Sequence, residues 1–179
     1  MEFVSGHTGR EHDIHELFRQ TFAASEGANE GDVIGSFVDD LMKRTPEKDL
    51  FAFLAYEKDT LVGGVFFSRL IYQQDSRTVF ILSPMAVNTN RQKRGIGQRL
   101  IAYGLDELRK KGVDVAVTYG DINFYSRIGF RQISKEQAKA PLKLSFPEGW
   151  LAQSLTEDDW KPFIGLPTCV EALNKSELW

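Results

Sequence analysis

The chain has 179 residues, 42% hydrophobic and 26% charged, which suits one compact domain with a sizeable core and leaves little length for two. Its 22 basic and 25 acidic residues give a formal charge of −3, which argues against nucleic acid or an anionic membrane as partner. One cysteine, Cys169, excludes an internal disulfide, and no apolar run nears the roughly 18–20 residues that span a bilayer. His7, His12 and His15 lack cysteine partners and the His-Glu-x-x-His spacing, so no metal site is expected. The first residues lack the basic and apolar regions of a secretory signal, and the expectation is a cytoplasmic protein.

Glu2–Ser5 reads as a short strand. From about residue 10 to 24, Ile14, Leu17, Phe18 and Phe22 recur at three- and four-residue intervals and predict an amphipathic helix. A break at Gly27, Asn29 and Gly31 precedes a second helix carrying Val33, Ile34, Phe37, Val38 and Leu41, which stops before Pro46. Residues 50–56 and 61–72 predict paired strands joined by the polar turn 57–60. Residues 78–87 form a third apolar run, interrupted by Pro84. The clearest helix spans 95–111, with Ile96, Leu100, Ile101, Leu105 and Leu108 on one face and Gly112 placed to end it. Residues 113–118 read as a buried parallel strand, 122–128 as a short helix, 130–133 as a strand, and about 151–155 as another. The order is hairpins followed by a βαβ crossover, which makes a mixed sheet with helices on both faces. A single domain, 1–179, is expected, with a core of about 1–133 and an extension of about 134–179 holding four of six prolines and all three tryptophans.

The average charge hides a local excess. Residues 89–111 hold seven basic side chains (Arg91, Lys93, Arg94, Arg99, Arg109, Lys110, Lys111) against Asp106 and Glu107, a charge of +5 that leaves −8 on the rest. Within it lies Gln92-Lys93-Arg94-Gly95-Ile96-Gly97-Gln98, between a strand end and a long helix. The first N–H groups of a helix have no internal partner, its dipole adds about half a positive charge, and glycine lets an anion approach the backbone. With three cations in four residues, this predicts a diphosphate cradle rather than an ordinary turn. The Walker pattern is absent, and Leu100 stands where a dinucleotide fingerprint needs its third glycine.

The string matches the Gln/Arg-x-x-Gly-x-Gly/Ala signature and resembles the GNAT superfamily of N-acetyltransferases. The flanking phrases, Leu-Ser-Pro-Met-Ala-Val and Tyr-Gly-Asp-Ile-Asn-Phe-Tyr-Ser-Arg-Ile-Gly-Phe, resemble a bacterial subgroup of small predicted acetyltransferases. The likeness is specific from about residue 80 to 130. It implies an α/β (α+β) fold with a mixed, mostly antiparallel sheet splayed between its fourth and fifth strands. It also implies acetyl-CoA as cosubstrate and no metal. Gln92, Lys93, Arg94, Gly95, Ile96, Gly97 and Gln98 would take the pyrophosphate, Met85, Ala86 and Val87 the pantetheine, with a backbone N–H at Ala86 polarising the thioester carbonyl. Tyr125 matches the family's general acid toward the leaving thiolate, and Asn123 is placed to bond the pantetheine arm.

The fourth strand has no acid or histidine where some family members carry glutamate. Candidate bases are His12, His15, Glu26, Glu30, Asp32, Asp39 and Asp40 in the first two helices, a group in the tail, or a water chain, and none is singled out. The acceptor pocket is expected from residues 27–31 and about 134–150, with Phe146 and Trp150 as apolar walls. The reading is an N-acetyltransferase acting on a small-molecule or protein amine, with no nucleic-acid partner, as a monomer or homodimer. The alternative is a catalytically silent coenzyme-A-binding sensor or partner-binding module. Acetylation of aminoacyl-tRNA ranks below both, because the +5 window would be used by the cosubstrate.

Overall fold

A computed structural model describes residues 1–156 and 160–179. In chain order these form β1 (Glu2–Ser5), α1 (Glu11–Glu26), α2 (Ala28–Arg44), β2 (Leu50–Glu57), β3 (Thr60–Tyr72) and β4 (Val79–Val87). There follow α3 (Ile96–Lys110), β5 (Val115–Tyr119), α4 (Ile122–Tyr125), β6 (Arg131–Gln132), β7 (Trp150–Ser154) and β8 (Pro167–Cys169). The strands make one open sheet in the order β1-β2-β3-β4-β5-β7-β6, with β8 paired to β3. It is mostly antiparallel, and β4 and β5 run parallel. This is the expected mixed α/β fold. The crossover through α3 explains the parallel pair, because a helix between two strands returns the chain to the end from which it left.

Two details differ from expectation. The break between the first helices is narrower, because Gly27 alone makes the turn with φ +102°, and Asn29 and Gly31 lie inside α2. The three-residue strand β8, paired at Leu70–Tyr72, was not anticipated. It is too short to show a period and begins with proline.

The described chain forms two compact units, Met1–Phe67 with Pro84–Gly104, and Ser68–Ser83 with Leu105–Trp179. In the first, α1 buries Ile14, Leu17 and Phe18 and α2 buries Ile34, Phe37, Val38 and Leu41, following the predicted stripes. Phe18 meets Phe66 with ring centroids 5.6 Å apart, and Phe53 meets Phe67 edge-on at 5.9 Å. Each buried phenylalanine stabilises this core by about 1.5–3 kcal/mol. The two helices approach closely at Gly31, where an added Cβ would lie 2.6 Å from the Arg19 carbonyl oxygen and 2.7 Å from the Ala23 Cβ. Gly31→Val should therefore force the helices apart despite its slightly better helix propensity. A cost of about 3 kcal/mol is expected, read as a fall in Tm on the order of 10 °C.

In the second unit, Val79–Leu82 pair with Val115–Thr118, and all eight residues are buried, as a parallel pair requires. Much of the C-terminal segment is anchored here. Trp150 is fully buried and donates Nε1–H to the Ala138 carbonyl at 2.9 Å, and Trp179 donates likewise to Leu173. Arg77 pairs with Asp75 at 2.7 Å, donates to the carbonyls of Lys161 and Pro162, and lies 4.0 Å over the Phe163 ring. Trp150 is thus a core residue and not a pocket wall. Among the described residues, no helix is long and apolar enough to cross a membrane.

Candidate active site

The end of β4 departs from simple alternation. At its start the Thr78 carbonyl accepts from Val115 N–H, so by the strand period the carbonyls of Phe80 and Leu82 also face β5. Thr118 Oγ1 donates to the Leu82 carbonyl at 3.1 Å, in agreement. Further on, the Ala86 carbonyl lies 3.5 Å from the position a Cβ would take on Gly63 of β3, and Asn88 N–H donates to the Val62 carbonyl. Even-numbered residues now face β3, so the strand has gained one residue of phase between Leu82 and Ala86. Pro84, which has no N–H to donate, stands in that interval. The main-chain groups of Met85 and Val87 consequently point away from β3, and those of Ala86 point toward it. This bears on the expected role of Ala86, since a strand N–H and C=O of one residue share a side. The register of β5 with β4 stops at Leu82–Thr118, whereas β4 continues to Val87.

The loop that follows is shaped by its own side chains. Asn88 Oδ1 accepts from Asn90 N–H at 3.0 Å, and Gln92 Nε2 donates to the Val87 carbonyl at 3.1 Å. Gln92 therefore ties the loop to the strand end. Lys93 has φ +61° and Gly95 φ +73°, while Arg94 between them does not have positive φ. Alternation of hand along successive residues turns their N–H groups to one side, the arrangement of an anion nest. A Cβ on Gly95 would meet nothing within 4 Å, so the backbone there faces open space. Helix α3 starts at Ile96, and its first backbone bond to the loop is Arg99 N–H to the Gly95 carbonyl. The N–H groups of Ile96, Gly97 and Gln98 precede any possible i−4 partner in the helix.

The positive window resolves into separate pieces. Arg91 pairs with Glu57 at 2.8 Å, Arg109 with Asp106 and Lys110 with Glu107 at 2.7 Å each, and Arg99 lies 5.9 Å over the Phe3 ring. Lys93 and Arg94 are exposed and have no carboxylate partner among the described residues. Of the expected cations, these two remain for an anion at the nest.

Tyr125 belongs to the second unit. Asp121 caps α4, its Oδ1 accepting from the Asn123 main-chain N–H at 2.9 Å and the Asn123 side-chain Nδ2 at 3.1 Å. Tyr125 closes the helix and is 8% exposed, edge-on to Phe124 at 5.0 Å and to Phe130 at 5.6 Å. Its ring occupies the space a side chain at Gly120 would need, since a Cβ there would lie 2.7 Å from Cε2. Burial pushes its phenol up to about 12, against the opposing effect of a hydrogen bond with the Thr118 hydroxyl. Thr118 was not anticipated, because one threonine in an apolar strand gives no pattern to read.

Three of the seven named candidate bases, His15, Asp39 and Asp40, lie in helix ion pairs. His15 Nδ1 is 3.2 Å from Asp39 Oδ2, Lys43 also pairs with Asp39, and Arg44 pairs with Asp40. His12, Glu26 and Asp32 are exposed on α1 and α2, and Glu30 is half-buried. None of them gains a position that distinguishes it from an ordinary helix face.

A family model described as an acetyltransferase (GNAT) domain matches residues 48–132, which contain β4, the loop and Tyr125. An uncharacterized N-acetyltransferase of Escherichia coli (strain K12), YjhQ, is 30% identical over 149 residues, covering 80% of this chain and 78% of its own. Among solved structures, the GNAT family N-acetyltransferase YhbS of Escherichia coli in complex with CoA aligns with a TM-score of 0.83 at 23% identity. It covers 97% of this chain and 92% of its own. A GNAT family acetyltransferase of Brucella melitensis in complex with acetyl-CoA aligns with a TM-score of 0.71 at 22% identity, covering 97% of both. With the sheet order, the phase change in β4 and the nest at α3 in place, the YjhQ identity settles the family: this chain belongs to the GNAT superfamily of N-acetyltransferases.

Proposed function

We propose that the chain binds acetyl-CoA and transfers its acetyl group directly to a primary amine. The observation that carries this reading is the nest at the start of α3, with alternating positive φ at Lys93 and Gly95 and two cations free of carboxylates. Its N–H groups suit a pyrophosphate, with Lys93 and Arg94 supplying countercharge. Gln92, through its bond to Val87, holds the loop in this shape. Ile96, Gly97 and Gln98 contribute the unpaired N–H groups of the helix start.

The outward N–H and C=O groups of Met85 and Val87 suit the amides of pantetheine. The Met85 N–H takes the role of thioester-polarising donor in place of Ala86, whose groups face β3. Asn123 keeps its side-chain carbonyl for the same arm. The neutral amine attacks the thioester carbonyl carbon, the C–N bond forms and the C–S bond breaks. The attacking nitrogen gives its surplus proton to solvent, and the Tyr125 phenol donates to the departing sulfur and is reprotonated from solvent.

The test is release of free thiol from acetyl-CoA over a panel of primary amines, with thermal unfolding measured in parallel. Acetyl-CoA at about 100 times its Kd should stabilise the chain by about 2.7 kcal/mol, and at least one amine should give turnover. Stabilisation without turnover on any amine would select the coenzyme-A-binding module instead, a reading that the ion-paired candidate bases favour. No stabilisation near 1 mM acetyl-CoA would overturn both.

A further inference from the structure

A cavity of about 390 Å³ opens in the second unit beside Tyr125. Tyr119, Gly120 and Ile122 line it from the junction of β5 and α4, Phe146 and Gly149 from the turn before β7, and Asp121 and Glu148 bring negative charge. We propose that this cavity holds the acceptor, and that the acceptor is a primary ammonium carried on an apolar, preferably aromatic, body. The proposal rests on the N-acetyltransferase reading above and names the substrate class for it.

Four observations carry the inference. The volume falls within the range of small-molecule sites, about 300–1,000 Å³, and suits a ligand of one ring and a short chain. Phe146 is 69% exposed yet held in place. Its N–H donates to Tyr119 Oη at 2.6 Å and its carbonyl accepts from Gly149 N–H at 2.8 Å. A ring whose backbone is held and whose faces are left uncovered is ready to stack on a ligand.

The charge on the lining has one sign. Glu148 has no partner among the described residues, Asp121 uses Oδ1 on the Asn123 amides, and no lysine or arginine lines the cavity. Such a site attracts a cation and rejects an anionic acceptor. Finally, Gly120 belongs to the cavity wall and also abuts the Tyr125 ring, so a single glycine stands between the cavity and the ring of the proposed proton donor. A polyhydroxylated amino sugar would fit less well, because Asp121, Gln132 and Glu148 are few polar partners for its many hydroxyls beside Tyr119, Ile122 and Phe146.

Binding and turnover test different links and should be measured separately. Calorimetry with 2-phenylethylamine in saturating coenzyme A reports the cavity, and thiol release from acetyl-CoA with the same amine reports transfer. Both should be repeated with kanamycin, and with Phe146→Ala and Glu148→Gln, whose side chains are exposed. The expected result is that wild type binds 2-phenylethylamine more tightly than kanamycin. Phe146→Ala should weaken that binding about tenfold or more and Glu148→Gln about fivefold, with the acetyl-CoA KM unchanged.

Absence of 2-phenylethylamine binding, equal or tighter kanamycin binding, or affinity unmoved by both variants would overturn the proposal. Variant-sensitive binding without thiol release would keep the cavity and remove the transfer reading. Thiol release with an amine whose KM ignores both variants would do the reverse.

Discussion

Tyr125→Phe should lower kcat by about 10²-fold or more, leave the acetyl-CoA KM within about twofold, and shift Tm by only a few degrees. The ring stays where it is, edge-on to Phe124 and Phe130 and against Gly120, so packing is preserved and only the hydroxyl is lost. With its phenol pushed up to about 12 by burial, Tyr125 stays protonated throughout the working pH range. Complete transfer to a free thiolate of pKa ≈ 8.5 would be uphill by about 5 kcal/mol. On the proposed reading the phenol therefore acts first as a hydrogen-bond donor to charge growing on sulfur.

Two consequences follow for pH. The kcat profile should show no alkaline limb from Tyr125 below about pH 11. Stability should be unaffected by this group below about pH 10 and fall between about 10 and 12, where the unfolded phenol has ionised and the folded one has not. Tyr125→Phe should remove that part of the decline. An unchanged kcat in the variant would end the assigned role.

Gly95→Val should abolish measurable acetyl-CoA binding, a loss of more than about 10²-fold, while the chain still folds. Two effects combine at this position. A β-branched residue resists φ +73°, at roughly 1–2 kcal/mol, and its methyl groups would project into the open space over the nest. Gly112 separates them, since it has φ +77°, equally open surroundings, and a place beyond the far end of α3. Gly112→Val should lower Tm by a similar amount and leave acetyl-CoA affinity unchanged. Equal loss of affinity in both variants would reduce Gly95 to a turn residue and remove the nest as the anion site. Calorimetry with acetyl-CoA and a thermal melt of each variant are sufficient.

Local periodicity made most of the fold legible before any coordinates. The stripes on α1, α2 and α3 bury as their spacing requires, and the apolar strand after Gly112 is parallel and covered. The motif around Gly95 is also legible, because strand, basic turn and glycine-opened helix are contiguous in the chain. Strand β8 lacked the length to show a period, and Trp150 looked available for a pocket because composition does not report burial. The thioester-polarising N–H is proposed at Met85 rather than Ala86 for a related reason. Alternation along a strand gives faces only while it is unbroken, and the extra residue near Pro84 reverses the side to which Met85, Ala86 and Val87 turn their amides.

The charge of −3 and the +5 window belonged to the sequence alone, as did the helix that the window opens. Which charges remain for a ligand did not. Arg91, Arg109 and Lys110 find carboxylates, and one of these pairs, Arg91 with Glu57, joins residues far apart in the chain. Lys93 and Arg94 are left at the nest. The cavity that Phe146, Glu148 and Tyr119 share is likewise a tertiary product, since Tyr119 and Phe146 stand 27 positions apart and meet through one hydrogen bond. Patterns confined to a helix turn or a strand period are written in neighbouring residues, whereas partners, exposure and strand phase depend on which distant groups folding brings within about 4 Å.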